Sequence, residues 1–550
     1  MLKKVIPSLL LIPLILSCGG NSSPEHKTEQ FKLENITIGD QTDLSEFSDV
    51  DPEAEIILKF SEAPDENTLG SNIMLRNSSN NKVPVDCIYD GKKTVTVTPQ
   101  KALTPFQTYT LVINPYIKSA EGDFIFTGKT CTLNISMDYT DKFKRISDDD
   151  LLTLIEEKTF NYFWDFGHPV SGMARERTNS GNTVTTGGTG FGIMAICIGA
   201  ERGFVTRAEA CERIGKIVSF LKDNATTYHG AFAHWMNGET GATIPFSTYD
   251  NGADIVETSF LFEGLLTARS YFDGSSEEET QLRNDITTLW KAVEWNWFTK
   301  DGTENQLYWH WSPDYGWKTN MAITGWDEAL ITYVLAASSP DHSITKEVYN
   351  NGWARNGAIK NGKKFYDITL PLGNDYGGPL FFTHYSFLGL NPHLLKDTYA
   401  DYWEQNTAHA KINYEYCVHN PGSHAGYSRE CWGLTASDGN EGYSAYSPSN
   451  DKGVIAPTAA LSSMPYVPEE SKNAMRFFYY KLGDKIFGDY GFIDAFNLSA
   501  NWFDTNMNLA IDEGPIIIML ENYRTGLIWN TFMKDEDVKH GLAKLGFTTE

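Results

Sequence analysis

The chain has 550 residues, 41% of them hydrophobic, and this length exceeds what one hydrophobic core usually supports. Its formal charge of −26, from 45 basic and 71 acidic residues, disfavours DNA, RNA or another polyanion as a partner, because phosphate binding depends on Lys and Arg. We therefore expect at least two domains and a neutral ligand, with no nucleic acid as partner.

Residues 1–17 have the pattern of a secretory signal. Two lysines precede an apolar stretch, Val5–Leu16, that is too short to span a bilayer as a mature helix. The small residue before Cys18 and the two glycines after it resemble the cleavage site of bacterial lipoproteins. This predicts a lipid on Cys18, a membrane contact through that lipid anchor, and a location in the periplasm or at the outer membrane, with residues 18–30 as a flexible tether. A signal that is cleaved without lipidation is the alternative.

Residues 31–138 contain short runs typical of strands, such as Thr94–Pro99 and Thr108–Ile113, separated by turns rich in Asn, Asp, Gly and Pro. This pattern predicts a β-sandwich of immunoglobulin size. The runs Leu58–Pro64 and Leu103–Leu111 resemble bacterial Ig-like modules, which are accessory domains of secreted proteins. No catalytic constellation is visible in this region, so we expect a spacer or a wall that contacts the ligand.

Six cysteines follow the predicted lipidation site, and no pair of them has the spacing of a zinc site. In an oxidising compartment Cys87 could pair with Cys131, and Cys417 with Cys431. Free buried thiols are the alternative. We also find no Asp-rich calcium loop, and we expect no cofactor and no catalytic metal.

From Ser147 onward the apolar period changes from two to about 3.6, which indicates helices. Helical stretches alternate through residues 147–550 with long loops rich in Gly, Asn, Tyr and Trp. This arrangement suits a toroid of helix pairs whose loops form one cleft. Aromatic residues make up 13% of the chain, and because flat rings stack on the C–H faces of pyranoses, the composition favours a sugar as the neutral ligand.

Acidic side chains beside apolar helical runs are the candidate catalytic groups. Asp254 and Glu257 share one face of a predicted helix, Glu328 opens a second apolar helix, and Asp512 interrupts a third apolar stretch. A carboxylic acid among apolar neighbours has a raised pKa, which suits a proton donor.

Hydrolysis of a glycosidic bond needs a proton donor and a carboxylate that attacks or activates water. We predict Glu328 as the general acid and Asp512 as the base that activates water. Asp254 and Glu257 are predicted to bind hydroxyls or to share the proton path. An Asp that precedes a helical run is often a helix cap, and this is the alternative for Asp254, Asp327 and Asp512.

The predicted sugar ligands lie beside these acids or in aromatic, glycine-rich loops. Rings would stack on sugar faces, whereas Arg429 and His384 would donate hydrogen bonds to hydroxyls in fixed directions. The predicted set is Asp250, Trp235, Trp311, Trp326, Asp327, Tyr376, Phe382, His384, Tyr427, Arg429, Trp432 and Glu441, with Asp375 and Asp438 as further loop acids. Core packing is the alternative for each ring and for His384. Residues Gly187–Gly190 are predicted to form a tight turn that faces the sugar.

Seven motifs of the helical region carry a family resemblance: Thr159–Trp164, Thr186–Gly192, Gly230–Trp235, Gly252–Leu266, Gly325–Ala329, Tyr427–Gly439 and Ile455–Ala460. With them, nearly all of residues 148–546 resembles the catalytic domain of glycoside hydrolase family 144, Bacteroidota proteins labelled glucoamylase-like. The resemblance implies an (α/α)6 barrel and an inverting hydrolase of β-1,2-glucan or β-1,2-glucooligosaccharides. Members with an Ig-like module resemble the exo-acting type, which releases sophorose.

Several other functions remain as alternatives. The same cleft would serve an endo-β-1,2-glucanase or a glucan hydrolase with another linkage, such as α-1,4. It would also serve a surface lipoprotein that binds glycan without cleaving it. A polysaccharide lyase is disfavoured, because lyases that act on uronates need cationic groups and this chain is acidic.

Overall fold

The computed structural model describes residues 30–393 and 395–549, which fall into two compact units divided between Met137 and Asp138. The predicted signal segment and Cys18 lie outside the described residues. No helix of the described ranges is both long and apolar enough to cross a membrane.

The first unit is a β-sandwich of two five-stranded sheets. Its strands are β1 (Leu33–Ile38), β2 (Gln41–Thr42), β3 (Glu46–Val50), β4 (Ile56–Phe60), β5 (Ile73–Asn77), β6 (Lys82–Val83), β7 (Val85–Tyr89), β8 (Thr94–Pro99), β9 (Thr108–Ile113) and β10 (Lys129–Ile135), with one short helix, α1 (Leu69–Asn72). The strand orders are β2-β1-β4-β8-β7 and β3-β10-β9-β5-β6. Only β3 and β10 pair in parallel among these strands.

Alternating burial explains why these segments form strands. In β4 the side chains of Ile56, Leu58 and Phe60 are buried between the sheets, whereas Ile57 and Lys59 are exposed. A period of two is what a strand with one face on the core requires. The predicted Ig-like β-sandwich is confirmed.

The second unit consists of helices with short hairpins between them. Its helices are α2 (Asp148–Trp164), α3 (Thr186–Arg202), α4 (Arg207–Asp223), α5 (Ile255–Tyr271), α6 (Glu277–Ala292), α7 (Leu330–Ser338), α8 (Lys346–Asn351), α9 (Tyr402–His419), α10 (Pro457–Leu461), α11 (Pro468–Ile486), α12 (Ala510–Arg524), α13 (Leu527–Phe532) and α14 (Glu536–Leu545). Two adjoining 3-10 segments, Leu380–Thr383 and Tyr385–Phe387, lie between α8 and α9.

The loops of this unit carry short two-residue and three-residue strands. They are β11 (Thr183–Thr185), β12 (Thr227–Tyr228), β13 (Ala231–Phe232), β14 (Trp235–Asn237), β15 (Thr243–Ile244), β16 (Ala253–Asp254), β17 (His310–Trp311), β18 (Lys364–Phe365), β19 (Ile368–Thr369), β20 (Ala436–Ser437), β21 (Ser444–Ala445), β22 (Phe487–Gly488), β23 (Gly491–Phe492), β24 (Phe496–Asn497) and β25 (Trp502–Phe503). The pairing of β16 with β17 joins two loops that are distant in the chain and sets Asp254 opposite His310.

The helices form an inner and an outer ring. The inner ring consists of α3, α5, α7, the 3-10 segments, α10 and α12, and each inner element is followed in the chain by an outer helix or by the closing pair α13 and α14. Helix α3 packs on both α5 and α12, so the ring closes between an early and a late part of the unit. This is the (α/α)6 barrel of the expected fold class.

Burial distinguishes the two rings. Inner helix α5 is buried on all sides from Ile255 to Ala268, whereas outer helix α4 buries one stripe that includes Ala210, Ile214, Ile217 and Leu221. A helix that is apolar all round belongs in the centre of a domain, and a helix with one apolar stripe belongs at its surface.

Two glycines let the inner helices α3 and α5 meet closely. A Cβ atom on Gly190 would lie 2.0 Å from the carbonyl oxygen of Phe260, and one on Gly264 would lie 2.1 Å from the carbonyl oxygen of Gly190. The turn predicted for Gly187–Gly190 was therefore wrong: these residues form the first part of α3. Their glycines are required by helix packing, a constraint that local sequence does not reveal.

All six described cysteines are free thiols, which agrees with the free-thiol alternative.

Candidate active site

A cavity of about 360 Å³ opens at the end of the barrel where inner helices begin. It is lined by Glu176, Arg177, Thr185, His234, Trp235, Phe246, Glu257, Phe260, Trp309, Glu328, Phe381, Tyr385, Ala436, Tyr443, Leu509 and Ile511. Half of these residues precede or start an inner element and the others lie in the connecting loops, because the barrel brings the beginnings of α3, α5, α7 and α12 to one place. Two of the predicted catalytic acids, Glu328 and Glu257, line the same cavity.

Glu328 lies just before α7 and lines the cavity. Burial raises the pKa of its carboxyl well above the usual range, and the charges of Asp327 and Glu257 raise it further. Asp327 accepts the backbone N–H of Ala329 at 2.9 Å, and burial raises the pKa of Asp327 to about 7. Glu328 therefore retains its proton at neutral pH, as a proton donor must. Asp327 secures the turn that presents it.

Asp254 is the N-cap of α5. Its Oδ1 accepts the backbone N–H groups of Val256 at 3.0 Å and Glu257 at 2.9 Å, and its Oδ2 faces His234 Nδ1 at 3.1 Å and Trp309 Nε1 at 3.2 Å. The side chain is fully buried. Both oxygens are occupied by the protein, so the structure corrects the prediction of a hydroxyl ligand or proton carrier: the cap alternative applies.

Two histidines supply positive charge around this cap. His310 Nε2 lies 3.2 Å from Asp250 Oδ2 and 3.5 Å from Asp254 Oδ2. Although burial opposes ionisation of Asp254, hydrogen bonds from His234 and His310 hold the pKa of that carboxyl well below its usual range. Asp250 is buried, and burial together with the charge of Asp254 raises the pKa of Asp250 to about 6. Asp250 was predicted to bind sugar. Its Oδ1 has no hydrogen-bond partner within the protein.

Glu257 reaches the cavity from the first turn of α5. Its Oε2 accepts the backbone N–H of Gly187 at 2.7 Å, and its Oε1 lies 3.8 Å from His234 Nε2. Burial raises the pKa of Glu257 to about 6, while the charge of His234 opposes that rise. Glu257 is therefore ionised at neutral pH, with one oxygen free of close protein donors.

His234 connects the cap to the cavity. Its ring stacks on Phe246, with centroids 4.2 Å apart and planes at 24°, while Nδ1 faces Asp254. Burial disfavours its charged form, but the carboxylates of Glu257, Asp254 and Asp250 prevail and raise the pKa of His234 to about 9. A protonated His234 thus presents Nε2–H beside the Glu257 carboxylate, which pairs a donor with an acceptor at the cavity wall.

Asp512 lies in the first turn of α12 and is 3% exposed. Burial raises its pKa to about 8, a hydrogen bond from Asp494 opposes that rise, and its Oδ2 has no other partner. Its neighbours Leu509 and Ile511 line the cavity. Burial raises the pKa of the cavity-lining Tyr385 well above its usual range, and the nearby carboxyls of Asp512, Glu328 and Glu257 each raise it further, so one side chain is influenced by all three.

Within residues 30–393 and 395–549, two groups of side chains could hold a metal ion. His234, Asp250 and Asp254 form one, and Asp438, Asp494 and Asp504 form the other, with ligand atoms within 4.8 Å of one another in each. In the first group the two imidazoles already neutralise the acids. In the second, Arg177 Nη1 donates to Asp438 Oδ2 at 2.7 Å, and that pairing occupies one acid of the set.

Three predicted sugar ligands belong to the packed core. Trp432 is fully buried and packs edge to face on Tyr414, and Trp326 is 6% exposed and packs near Trp353. Burial lowers the pKa of His384 to about 3, so its ring is neutral and structural. For these residues the core alternative is the correct one.

Two further predicted rings are held by structural contacts outside the cavity. Tyr427 donates its hydroxyl hydrogen to Asp451 Oδ1 at 2.8 Å. Tyr376 packs on Phe365 with centroids 4.5 Å apart. Neither ring lines the cavity.

Trp235 lines the cavity as predicted, and Phe382 packs at 4.8 Å against the cavity-lining Phe381. Trp311 is half-buried and contacts His229 edge to face at 5.0 Å, away from the cavity lining. Of these three predicted rings, Trp235 alone lines the cavity.

The predicted polar loop ligands are scattered. Arg429 and Glu441 are exposed and absent from the cavity lining, although Glu441 lies on the same loop as the cavity-lining Tyr443. Asp375 is paired with Lys363 at 2.7 Å on the surface. These side chains therefore lie apart from the cavity lining, and their sugar contacts stay predictions.

Sequence reasoning missed Arg177, His234, His310, Tyr385 and Tyr443. His234 and His310 come from loops far apart in the chain: the pairing of β16 with β17 sets His310 opposite Asp254, and Asp254 Oδ2 lies 3.1 Å from His234 Nδ1, so no local pattern joins the two histidines. The pair His234-Trp235 beside the acid-rich start of α5 was the one available signal.

The chain matches two family models. Residues 320–536 match the family described as "Putative glucoamylase", and residues 27–137 match a bacterial Ig-like domain. A curated relative, the exo β-1,2-glucooligosaccharide sophorohydrolase (non-reducing end) of Parabacteroides distasonis, is 45% identical over 421 residues, which cover 73% of this chain. The chain spans 58% of the length of that relative.

Solved structures agree with these matches. A solved structure from Bacteroides uniformis is also described as a "putative glucoamylase". It is 58% identical to this chain with a TM-score of 0.72, and the match covers 74% of this chain and 99% of the Bacteroides uniformis chain. The endo-β-1,2-glucanase of Chitinophaga pinensis, solved with sophorotriose and glucose, is 52% identical with a TM-score of 0.72 and the same coverage, 74% and 99%. Fold, cavity and relatives together show that the chain belongs to the glucoamylase-like family of glycoside hydrolases, family 144, and that it carries an N-terminal Ig-like domain.

Proposed function

We propose that the protein is an inverting glycoside hydrolase that acts on β-1,2-glucan or β-1,2-glucooligosaccharides and releases sophorose from a chain end. The observation that carries this proposal is one cavity that holds a protonated carboxyl, Glu328, an ionised carboxylate, Glu257, and an aromatic wall that includes Trp235. The names of both relatives support the linkage, whereas the exo mode is supported by the name of the Parabacteroides distasonis relative and the Chitinophaga pinensis relative is named an endo-enzyme.

In this proposal Glu328 donates its proton to the oxygen of the leaving sugar. Its raised pKa keeps the proton available at neutral pH, and its transfer neutralises the negative charge that develops on the departing oxygen as the bond breaks. A water on the opposite face of the ring then attacks the anomeric carbon, which inverts its configuration.

Asp512 is our choice for the base that takes the proton of that water, and because burial raises its pKa to about 8, it acts in the fraction of molecules in which its carboxyl is ionised. It is buried next to two cavity-lining residues, Leu509 and Ile511, and its Oδ2 lacks a protein partner. Glu257 is the second candidate, because it lines the cavity and its pKa of about 6 leaves it ionised. The acid-side pKa of kcat/KM distinguishes the two, because the pKa of Asp512 is about 8 and that of Glu257 is about 6.

The remaining groups would bind substrate. His234 Nε2–H and Glu257 Oε1, 3.8 Å apart, offer a donor and an acceptor to hydroxyls of one sugar, and Trp235 offers a ring for stacking. Asp254 acts through these residues, because it holds His234 and starts the helix that presents Glu257.

We also propose that the mature protein is anchored by a lipid on Cys18, in the periplasm or at the outer membrane. The support is the sequence pattern around Cys18 alone. Mass spectrometry of the membrane-extracted protein would show an acylated N-terminal cysteine, and Cys18→Ser should release the protein into the soluble fraction.

The function is tested by incubating the purified protein with β-1,2-glucan, short β-1,2-glucooligosaccharides and starch, followed by chromatography of the products. Sophorose from the first two and no product from starch is the expected result. Internal fragments of mixed length would indicate an endo-acting enzyme, and glucose from starch would refute the linkage. Binding without any released sugar would indicate a glycan-binding protein, and an unsaturated product that absorbs in the ultraviolet would indicate a lyase. NMR of the fresh product would report its anomeric configuration.

A further inference from the structure

Two exposed tyrosines form a pair next to the cavity. Tyr249 is 43% exposed and Tyr315 is 49% exposed, and their rings meet edge to face with centroids 5.2 Å apart. Large rings that remain exposed side by side give up the free energy of burial, so a contiguous exposed pair beside a binding cavity indicates a contact surface for a ligand.

The position of Tyr249 is set by a turn that belongs to the cavity wall. Phe246 lines the cavity, and its backbone N–H donates to the carbonyl oxygen of Asp250 at 2.9 Å. The turn that this bond closes contains Tyr249. The ring of Tyr249 therefore lies within one turn of a residue that already faces the hollow.

The loop that carries Tyr315 is fastened to the same turn. Ser312 Oγ donates to Asn251 Oδ1 at 2.6 Å, and Asn251 Nδ2 donates to Asp314 Oδ2 at 2.7 Å. The backbone N–H of Tyr315 donates to Ser312 Oγ at 3.0 Å. Three hydrogen bonds therefore place the second ring against the first.

Further contacts tie this loop to the floor of the site. Thr319 Oγ1 donates to the carbonyl oxygen of Tyr249 at 3.3 Å, and β17, which ends just before Ser312, pairs with β16. Strand β16 ends at Asp254, the cap of α5. The tyrosine pair is thus part of the scaffold that holds the catalytic region, and its rings are oriented before any ligand arrives.

We propose that Tyr249 and Tyr315 form a second glucan-binding subsite outside the cavity, which stacks on glucosyl units remote from the bond that is cleaved. Tyr249 follows Phe246 by three residues, and Phe246 belongs to the aromatic cavity wall, where its ring contacts Trp235 with centroids 4.8 Å apart. The ligand class is an extended neutral glucan, since Asp250 and Asp314 adjoin the two tyrosines in the chain and disfavour an anionic ligand, and the faces of pyranoses suit phenol rings. This inference rests on the proposed hydrolase function.

The subsite predicts an effect that depends on substrate length. Tyr249→Ala and Tyr315→Ala should lower kcat/KM on polymeric β-1,2-glucan by roughly three- to tenfold, mainly through KM, with less than a twofold change on the shortest oligosaccharide that the wild type cleaves. Tyr249→Phe and Tyr315→Phe retain the ring and should behave like the wild type.

Tyr523→Ala is the matched control, because Tyr523 is 37% exposed at the end of α12 opposite to Asp512. Tyr523→Ala should leave kcat/KM unchanged on both the polymer and the shortest oligosaccharide. Alanine variants of Tyr249 and Tyr315 that lose activity equally on short and long substrates, or on neither, would overturn the subsite. A wild type that cleaves no β-1,2-linked substrate would instead refute the proposed function, so the two failures can be told apart.

Discussion

The contact between α3 and α5 predicts that Gly190→Ala separates two inner helices. The new Cβ would lie 2.0 Å from the carbonyl oxygen of Phe260 and 2.6 Å from the Cα of Leu261, whereas ordinary contacts begin at 3.4 Å. The helices must therefore move apart by the difference, 3.4 − 2.0, which is about 1.4 Å. Both obstacles are backbone atoms, so no side-chain rotation can relieve the clash.

Overpacking of a core costs about 1–3 kcal/mol, and a clash with backbone belongs at the upper end. Alanine regains about 1 kcal/mol of helix propensity over glycine, so the net loss is about 2 kcal/mol. Because Gly190 lies one turn after Gly187, whose N–H holds Glu257 Oε2 at 2.7 Å, the variant should also lose activity at temperatures where it remains folded.

Calorimetry and hydrolysis of β-1,2-glucooligosaccharides would measure both effects. The transition of the helical unit should occur several degrees lower in Gly190→Ala, on the order of 4 °C. The control is Gly215→Ala in α4, where a Cβ meets no atom within 4 Å, and this variant should be slightly more stable than the wild type. A Gly190→Ala protein that melts at or above the wild-type temperature would refute the packing argument.

Three further predictions concern the chemistry of the cavity. Glu328→Gln should lower kcat by about 10²–10⁴-fold, while calorimetric titration finds substrate affinity nearly unchanged. The kcat/KM of the wild type should decline on the acid side with an apparent pKa near 8 if Asp512 is the base, whereas a decline near 6 would transfer that role to Glu257. Because folding raises the pKa of His234 from 6.5 to about 9, its contribution to stability is complete below pH 6.5 and is lost as the pH rises through 9. Urea unfolding of His234→Gln should therefore show a weaker decline in the free energy of unfolding between those pH values, and an unchanged slope would contradict the assignment.

The sequence was sufficient to predict acids that precede inner helices. Glu257 and Glu328 stand out in the sequence because a carboxylate at the start of an apolar helix needs hydrogen bonds or an opposite charge when it is buried. The barrel brings the starts of its inner helices together, so both side chains line one cavity. The local sequence could not decide whether Asp254 caps the helix or takes part in catalysis. That distinction depends on His234 and Trp309, which arrive from other loops.

Aromatic residues were predicted less well. Trp235 and Trp432 occur in similar polar, glycine-rich surroundings in the sequence, yet one lines the cavity and the other is fully buried. Burial depends on which helix packs over a ring, and that information is non-local. The Ig-like unit was easier, because the alternation in strands such as Ile56–Phe60 is itself the signature of a sandwich.

The closure of the helix ring affects how the protein is made. Helix α12 packs against α3, so the wall that carries Asp512 cannot be seated until nearly the whole helical unit has left the ribosome. Until then the flank of α3 that α12 covers remains open to solvent, with its apolar side chains available to chaperones. A nascent chain stalled before residue 510 should therefore be a chaperone client that cannot yet cleave substrate.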